Sequence, residues 1–509
     1  MLNWTGHPLV DVGIAVILSF VDKEDPQTVT ENDLTVVADF IEREYVRQPL
    51  TSYLNVALPN SGFTQPAFSK TPERRFEYAV LVSRYFGGNV ETTDEKCVFT
   101  GLPTPAIIYN GPSNADFQLG RAYRQHVPMT LGVGNVNFYP NGDSGLPVSA
   151  AIMLAFQAFP LGCAKVSGRL LAVHSNDPAL TLFFANQFWE GNRSAISMAH
   201  AQDSTKLAGR VESMRTLLVQ ELANAYHHQI ERRNAFDDQY ISLTAYYLTN
   251  MGANPEIAIF SLPSSTIRFL SQAQSADYAP IWNRIVSVAW EQEPTKDKKK
   301  RKEGDEPYQP RRNWLYEDIW TLPQNAKRFL KTYFLRRAWK YASLDKGDPR
   351  ASYSLMREVD LVSWRLTSLF MERIMNMNKE QVEQVRTLAD ALANYIATEN
   401  DKSFFRRFAT VSKYYQLRLL LIKANTEYAR LGNAPFLTLD NFLGVFEEGE
   451  EIAYSNWDLS RDLVLIRLVE QLHASGWLSH HQDELDAIAD QHDAVLEKEI
   501  EEREGTIGE

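Results

Sequence analysis

Two cysteines, Cys97 and Cys163, are all that the 509 residues contain. That excludes a disulfide scaffold and leaves too few thiolates for a cysteine-built zinc site. Long apolar runs are missing as well. The most hydrophobic stretch, residues 10–21 (VDVGIAVILSFV), carries Asp11 and falls short of the roughly 20 residues that a membrane-spanning helix needs. No basic segment or small-residue cleavage site flanks it, so neither a membrane anchor nor a signal peptide is expected, and a reducing cytoplasm is the expected compartment. Histidine pairs stand at His227-His228 and His480-His481. Neither has the i, i+4 spacing or the neighbouring carboxylates of a metal site, so no metal and no cofactor is expected.

What is present suits a large folded chain. Hydrophobic residues make up 44% and charged residues 23%, enough for a sizeable core, and the length predicts two or three domains. Residues 1–290 mix helical and extended patterns. Residues 31–45 (ENDLTVVADFIEREY) place Leu34, Val37, Phe40 and Ile41 at helical spacing behind a cap at Asn32 or Asp33. The stretch 110–145 is rich in Gly, Asn and Pro and leads directly into the apolar run LPVSAAIMLAFQAFPLG, a loop surface ahead of a buried helix. A strand is expected at 169–174 and a long helix from about Asp203 to Phe236. This first part reads as an α+β body.

Residues 291–313 are dominated by Lys, Arg, Glu and Pro and cannot bury enough surface to order themselves, so they read as an exposed loop or linker. From 322 to 509 the pattern is nearly all helical, including one continuous helix-like run at 404–432, and predicts an all-α C-terminal bundle.

The net charge of −12 conceals a polarity: residues 322–433 carry 20 Lys and Arg against 11 Asp and Glu, while residues 434–509 carry 4 against 19. A basic helical region followed by an acidic one suits a strand-binding face and a protein-docking end, although ordinary solvated faces give the same counts. On a continuous helix, Arg406 and Lys413 share one face and Arg407 and Arg418 a neighbouring one. Phe404, Phe405, Phe408, Tyr414 and Tyr415 are interleaved with them. Cations that hold phosphates beside aromatics that stack bases fit a single strand; core aromatics under solvated arginines is the competing reading. Lys298, Lys299, Lys300 and Arg301 form a second basic cluster, either phosphate-gripping or merely solubilising.

Two motifs point elsewhere. Asn141 to Gly145 (NGDSG) echoes the nucleophile loop of serine proteases and makes a hydrolase using Ser144 one alternative, yet it is also a plain turn, and no matching histidine segment precedes it. GVGN at residues 132–135 lacks the third glycine and the GK[ST] of nucleotide-binding loops.

The opening, residues 3–17 (NWTGHPLVDVGIAVI), with Gly6, Pro8, Asp11 and Gly13 in a Gly-x-Pro-x-x-Asp-x-Gly arrangement, resembles the start of the Cst-type large subunits of type I-B CRISPR interference complexes (Cascade). CVFTG at 97–101, GNVNFYPNGDSGLPVSA at 134–150 and FQAFPLG at 156–162 extend the resemblance over roughly the first 170 residues. Relatives often pair cysteines near the first of these segments; here Cys97 stands alone, so no zinc is expected and packing must hold that region.

The resemblance implies a non-enzymatic subunit that reads the short motif flanking a DNA target, starts strand separation and helps recruit a nuclease-helicase. The implied partners are a CRISPR guide RNA, the target double-stranded DNA and its displaced strand, the guide-handle cap and backbone subunits, and a small subunit. Groove reading needs short polar side chains, for which Asn110, Ser113, Asn114, Gln118, Asn135 and Asn137 are the candidates, with Lys96, Arg121 and Arg124 as nearby phosphate contacts. No catalytic residue is expected, because heteroduplex replaces duplex at nearly equal energy. In several such systems the helical segment is also made separately from an internal start, and Met371, Met375 or Met377 would serve here; core filling by these methionines is the alternative. A protein-interaction adaptor without nucleic-acid contact also remains open.

Overall fold

A computed structural model describes residues 2–66, 71–111, 117–130, 144–228, 240–250, 255–301, 306–355, 357–447 and 456–481. The chain divides into two compact units, Met1–Ser264 and Ser265–Glu509.

The first unit is built around helix α1 (Pro8–Phe20), whose residues 9–18 are all buried. A helix apolar on every side belongs in the middle of a core, and α1 packs against α4 (Ala150–Ala158) and α5 (Pro178–Ala201). Two glycines permit the close approach. A Cβ on Gly13 would stand 2.0 Å from the Ala155 carbonyl oxygen, and one on Gly162, in the 3-10 turn after α4, would meet the side chains of Val16 and Val12. Asp11 is the polar exception inside α1. Its carboxylate accepts from the Thr5 backbone N–H and hydroxyl, both at 2.8 Å, and from the Gly6 N–H at 2.9 Å, and it faces His174 Nε2 at 3.0 Å. With Gly6 at φ +77° and Pro8 in the first turn, the opening motif tethers the chain start and lets two helices touch.

Helix α2 (Glu31–Glu44) follows, then α3 (Pro72–Ser83). The cap of α2 is Thr30, two residues before the first expected candidate: the Thr30 hydroxyl accepts from the Asp33 N–H while the Asp33 carboxylate accepts from the Thr30 N–H, a reciprocal capping box. Two small antiparallel pairs come next: β1 (Thr92–Lys96) with β2 (Pro103–Pro105), and β3 (Arg121–Ala122) with β4 (Leu146–Pro147). Cys97 lies buried in the β1–β2 connection, where its N–H donates to the Leu102 carbonyl at 2.8 Å and Gly101, at φ +69°, closes the turn.

A four-stranded antiparallel sheet completes the unit, in the order β5 (Ala164–Val166), β6 (Arg169–Ser175), β7 (Leu243–Thr249), β8 (Glu256–Leu262). The helix expected from about Asp203 to Phe236 begins later, at Met214, and the long helix before it, Pro178–Ala201, is not among the expected elements. α5 begins at Pro178, capped by the Asp177 carboxylate on the Ala179 N–H, and α6 (Met214–His228) follows a turn region that includes the Val166–Arg210 bridge.

The second unit contains no strand among its described residues. Its helices are α7 (Ser264–Ala273), α8 (Ala279–Ser287), α9 (Trp314–Ile319), α10 (Trp364–Arg373), α11 (Lys379–Glu399), α12 (Lys402–Thr410), α13 (Tyr414–Arg430), α14 (Leu439–Phe446) and α15 (Trp457–Ala474). The fold is thus an α+β body followed by a helical C-terminal region, in which α15 packs on α10, α11 and α14. The expected linker is partly ordered: Thr295–Lys300 is a short helix, and backbone bonds join Glu291 to Arg312 and Trp314 to Ala289.

The run 326–344 holds only a turn of α-helix (Ala326–Phe329) and a π turn (Leu330–Phe334). Two arginines in and just after this run go inward. Arg336 is fully buried, its guanidinium 3.5 Å from the Tyr353 ring centroid and bonded to Glu358 at 2.6 Å. Arg350 lies between Trp314 and Trp339, at 4.2 and 4.6 Å, and bonds Asp318 and Asp348 at 2.7 Å each.

Candidate nucleic-acid interface

The continuous helix expected across residues 404–432 is broken. Val411, at φ −59° and ψ 128°, leaves the helical region, and Lys413 becomes the residue preceding α13. Groups remote in sequence stabilise the break: Arg337 donates to the Ala409 carbonyl at 3.2 Å and Arg461 donates to that of Val411, satisfying acceptors that a helix C-terminus leaves open. The seven- and eleven-residue spacings therefore carry no shared face. Arg406 and Arg407 stand on α12, Arg418 on α13 and Lys413 between them.

Arg407 and Lys413 are exposed, while Arg406 and Arg418 are half-buried. Arg407 reaches back to the Ser403 hydroxyl at 2.6 Å. Four of the five interleaved aromatics belong to the fold. Phe404, Phe405 and Phe408 are core residues, and Tyr414 donates to the buried Glu447 carboxylate, with burial first and that hydrogen bond second raising its phenol above the ordinary tyrosine range. Tyr415 is the exposed one, at 57%, and it begins an outward stripe on α13 with Leu419 and Ile422, at i, i+4 and i+7.

Among the described residues, part of the charge polarity of the sequence is internal. Lys327 pairs with Asp458 at 2.5 Å, and the fully buried Asp462 is reached by Arg461 at 2.6 Å, Lys331 at 3.2 Å and Arg337 at 3.7 Å. Burial opposes ionisation of Asp462, but Arg337, Arg461 and Lys331 outweigh it and hold the carboxyl at about 2. Several cations counted in the basic surplus are thus counter-ions for acids counted in the acidic region.

In the first unit, the candidate loop residues lie around the two small strand pairs. Lys96 ends β1 and is exposed; Gln118 and Arg124 are exposed; Asn110 is half-buried beside Tyr109, whose hydroxyl donates to the Val148 carbonyl at 3.1 Å. Arg121 is corrected from a surface phosphate contact to a buried brace. It is 6% exposed, bonds Glu95 at 3.0 and 2.5 Å, and donates to the Ser144 carbonyl at 3.1 Å, so it ties β3 to β1 and to the chain entering β4. Its partner lies 26 residues upstream, where no local pattern reveals it. Ser113, Asn114, Asn135 and Asn137 lie outside the described residues, as do Gly132 to Asn135 of the GVGN motif. Ser144 is half-buried.

On the short helix 295–300, Lys298 and Lys299 are exposed, Lys300 closes the helix, and Arg301 pairs with Glu293 at 3.3 Å. Among the described residues no group of three or more His, Cys, Asp or Glu side chains is arranged to hold a metal ion, and no helix is long and apolar enough to cross a membrane. No protein-family model, curated protein or solved structure matches this chain.

Proposed function

We propose that this chain is the large, non-catalytic subunit of an RNA-guided DNA-recognition complex of the type I-B Cascade kind, acting in a prokaryotic cytoplasm. In this reading the loop layer around β1 to β4, with Lys96, Asn110, Gln118 and Arg124, reads the motif flanking the target, and the outer side of α12 and α13 holds a single strand. The guide RNA, the target duplex and its displaced strand, the cap, backbone and small subunits, and an effector nuclease-helicase are the partners.

The observation that carries the reading is that Tyr415 is exposed in the same short stretch of chain as the exposed Arg407 and Lys413 and the half-buried Arg418, because cations near a stacking ring bind a strand without sequence preference. The sequence resemblance of the first 170 or so residues supports the same assignment. The test is anisotropy of a labelled single-stranded oligonucleotide with the full chain across a salt series. Combined Arg407→Glu, Lys413→Glu and Arg418→Glu weakens binding at least tenfold and flattens the salt dependence by about 0.7 per lost phosphate contact; unchanged binding overturns the assignment.

A second reading, a protein-interaction adaptor, is favoured by Leu419 and Ile422, exposed at 62% and 50%. Exposed apolar stripes of this kind mark protein contacts. An adaptor shows no salt-dependent strand binding.

A further inference from the structure

A second place in the molecule has the chemistry of a small-ligand site. Between the C-terminal end of α1, the last turns of α2 and the C-terminal half of α5 lies a cavity of about 330 Å³, at the lower end of the roughly 300–1,000 Å³ of small-molecule sites. It takes one ring system, not a folded chain. Its floor is aromatic: Phe20 stacks on Trp189 at 4.4 Å, and Phe40 meets both edge-on at 5.1 and 5.3 Å. Phe20 and Phe40 remain half-exposed to the cavity.

Its rim carries the guanidinium groups of Arg43 and Arg193 and the imidazole of His200. Glu44 is the one carboxylate that lines it, and that group already accepts from Arg43 at 2.9 Å and from Arg47 at 3.0 and 2.5 Å. Burial opposes its ionisation, but the hydrogen bonds from Arg47 and Arg43 win and keep it charged. The acid therefore organises the arginines and leaves the rim positive. Arg193 pairs outward with Glu190, and its side chain is 60% exposed.

An aromatic floor below an arginine rim fits a planar ring that carries a phosphate. We infer that this cavity binds a single nucleotide unit, its base on the Phe20–Phe40–Trp189 floor and its phosphate on Arg193 and Arg43. The unit comes either from a free nucleotide or from the 5′ end of a strand. The site is separate from α12 and α13, and it does not depend on the strand-binding role proposed for them.

The test uses the full chain with AMP, adenosine and inorganic phosphate as probes in calorimetric titration. AMP is expected to bind at least tenfold more tightly than adenosine or phosphate alone, and Arg193→Glu to weaken AMP at least tenfold. Ser197→Trp, which fills the mouth from an exposed rim position, abolishes AMP binding while the melting temperature stays unchanged. A 5′-phosphorylated oligonucleotide that competes with AMP where its 5′-hydroxyl counterpart does not identifies a strand end as the source; competition by neither identifies the free nucleotide. AMP binding that is absent, or equal in wild type and Ser197→Trp, overturns the site. Salt-dependent oligonucleotide binding that survives Ser197→Trp leaves the role of α12 and α13 standing regardless.

Discussion

The two units solve the problem of a core in opposite ways. The first closes around an apolar helix, and buried polar groups such as Asp11 pin single segments onto it, Asp11 by accepting from Thr5 and Gly6. The second threads charge through its interior: Asp462 among Arg461, Lys331 and Arg337, and Arg350 between two tryptophans with Asp318 and Asp348. Apolar packing is destabilised both by a cavity and by intrusion of an atom, whereas a buried ion network is destabilised by the loss of any one partner, which leaves an uncompensated charge. The helical unit is thus the more vulnerable to a single acid-removing change.

The largest effect is expected from Asp462→Ala, which leaves three cations facing an uncompensated site and costs about 3–5 kcal/mol. Hydrogen exchange read by mass spectrometry should show the loss of protection confined to the second unit; spread over both units, it erases the contrast. Gly13→Ala should cost about 1–3 kcal/mol in the first unit, since its Cβ collides with backbone rather than with a side chain that can swing away.

Acid separates the units by pH window. His126 is fully buried, accepts from the Tyr123 N–H on Nδ1, and is pushed down to about 3 by burial. The unfolded chain binds that proton near pH 6.5 while the native one does not, so the first unit loses stability as pH falls from about 6.5 towards 3. Asp462, held at about 2, supports the second unit until pH falls below about 4. Exchange protection measured from pH 7 to 3 should therefore fall first in the first unit; the reverse order contradicts the burial argument. The smallest stability effect belongs to Thr30→Ala, about 1 kcal/mol through loss of the capping box, seen as faster exchange at the start of α2.

The same contrast decides what the sequence reveals. α2, α4, β6 and α11 are legible because their patterns are local: apolar throughout, or apolar at helical or strand spacing. α5 is concealed because Gly191, Asn192 and Ser194 interrupt the middle of a 24-residue helix, and its burial against α1 is a tertiary fact. The break between α12 and α13 is invisible for the same reason, since Arg337 and Arg461 arrive from 72 and 50 residues away.

Of the candidate interface, exposure at Lys96, Arg124, Arg407 and Lys413 follows from their being charged. The burial of Arg121, Arg336 and Arg350 does not, because a basic residue reads as solvated until its distant carboxylate is placed beside it. The opening motif shows the converse: residues that carry a family resemblance have, in this fold, a tethering and close-packing role that accounts for each of them.

The proposed assignment meets its most direct test in co-purification of the tagged full chain, expressed with its neighbouring genes, followed by extraction and sizing of whatever nucleic acid accompanies it. A discrete RNA of uniform short length, bound together with further subunits, is the predicted result, with a C-terminal fragment of this chain beginning near Met371, Met375 or Met377 as an added mark of an internal start. A chain that emerges alone and free of RNA contradicts it.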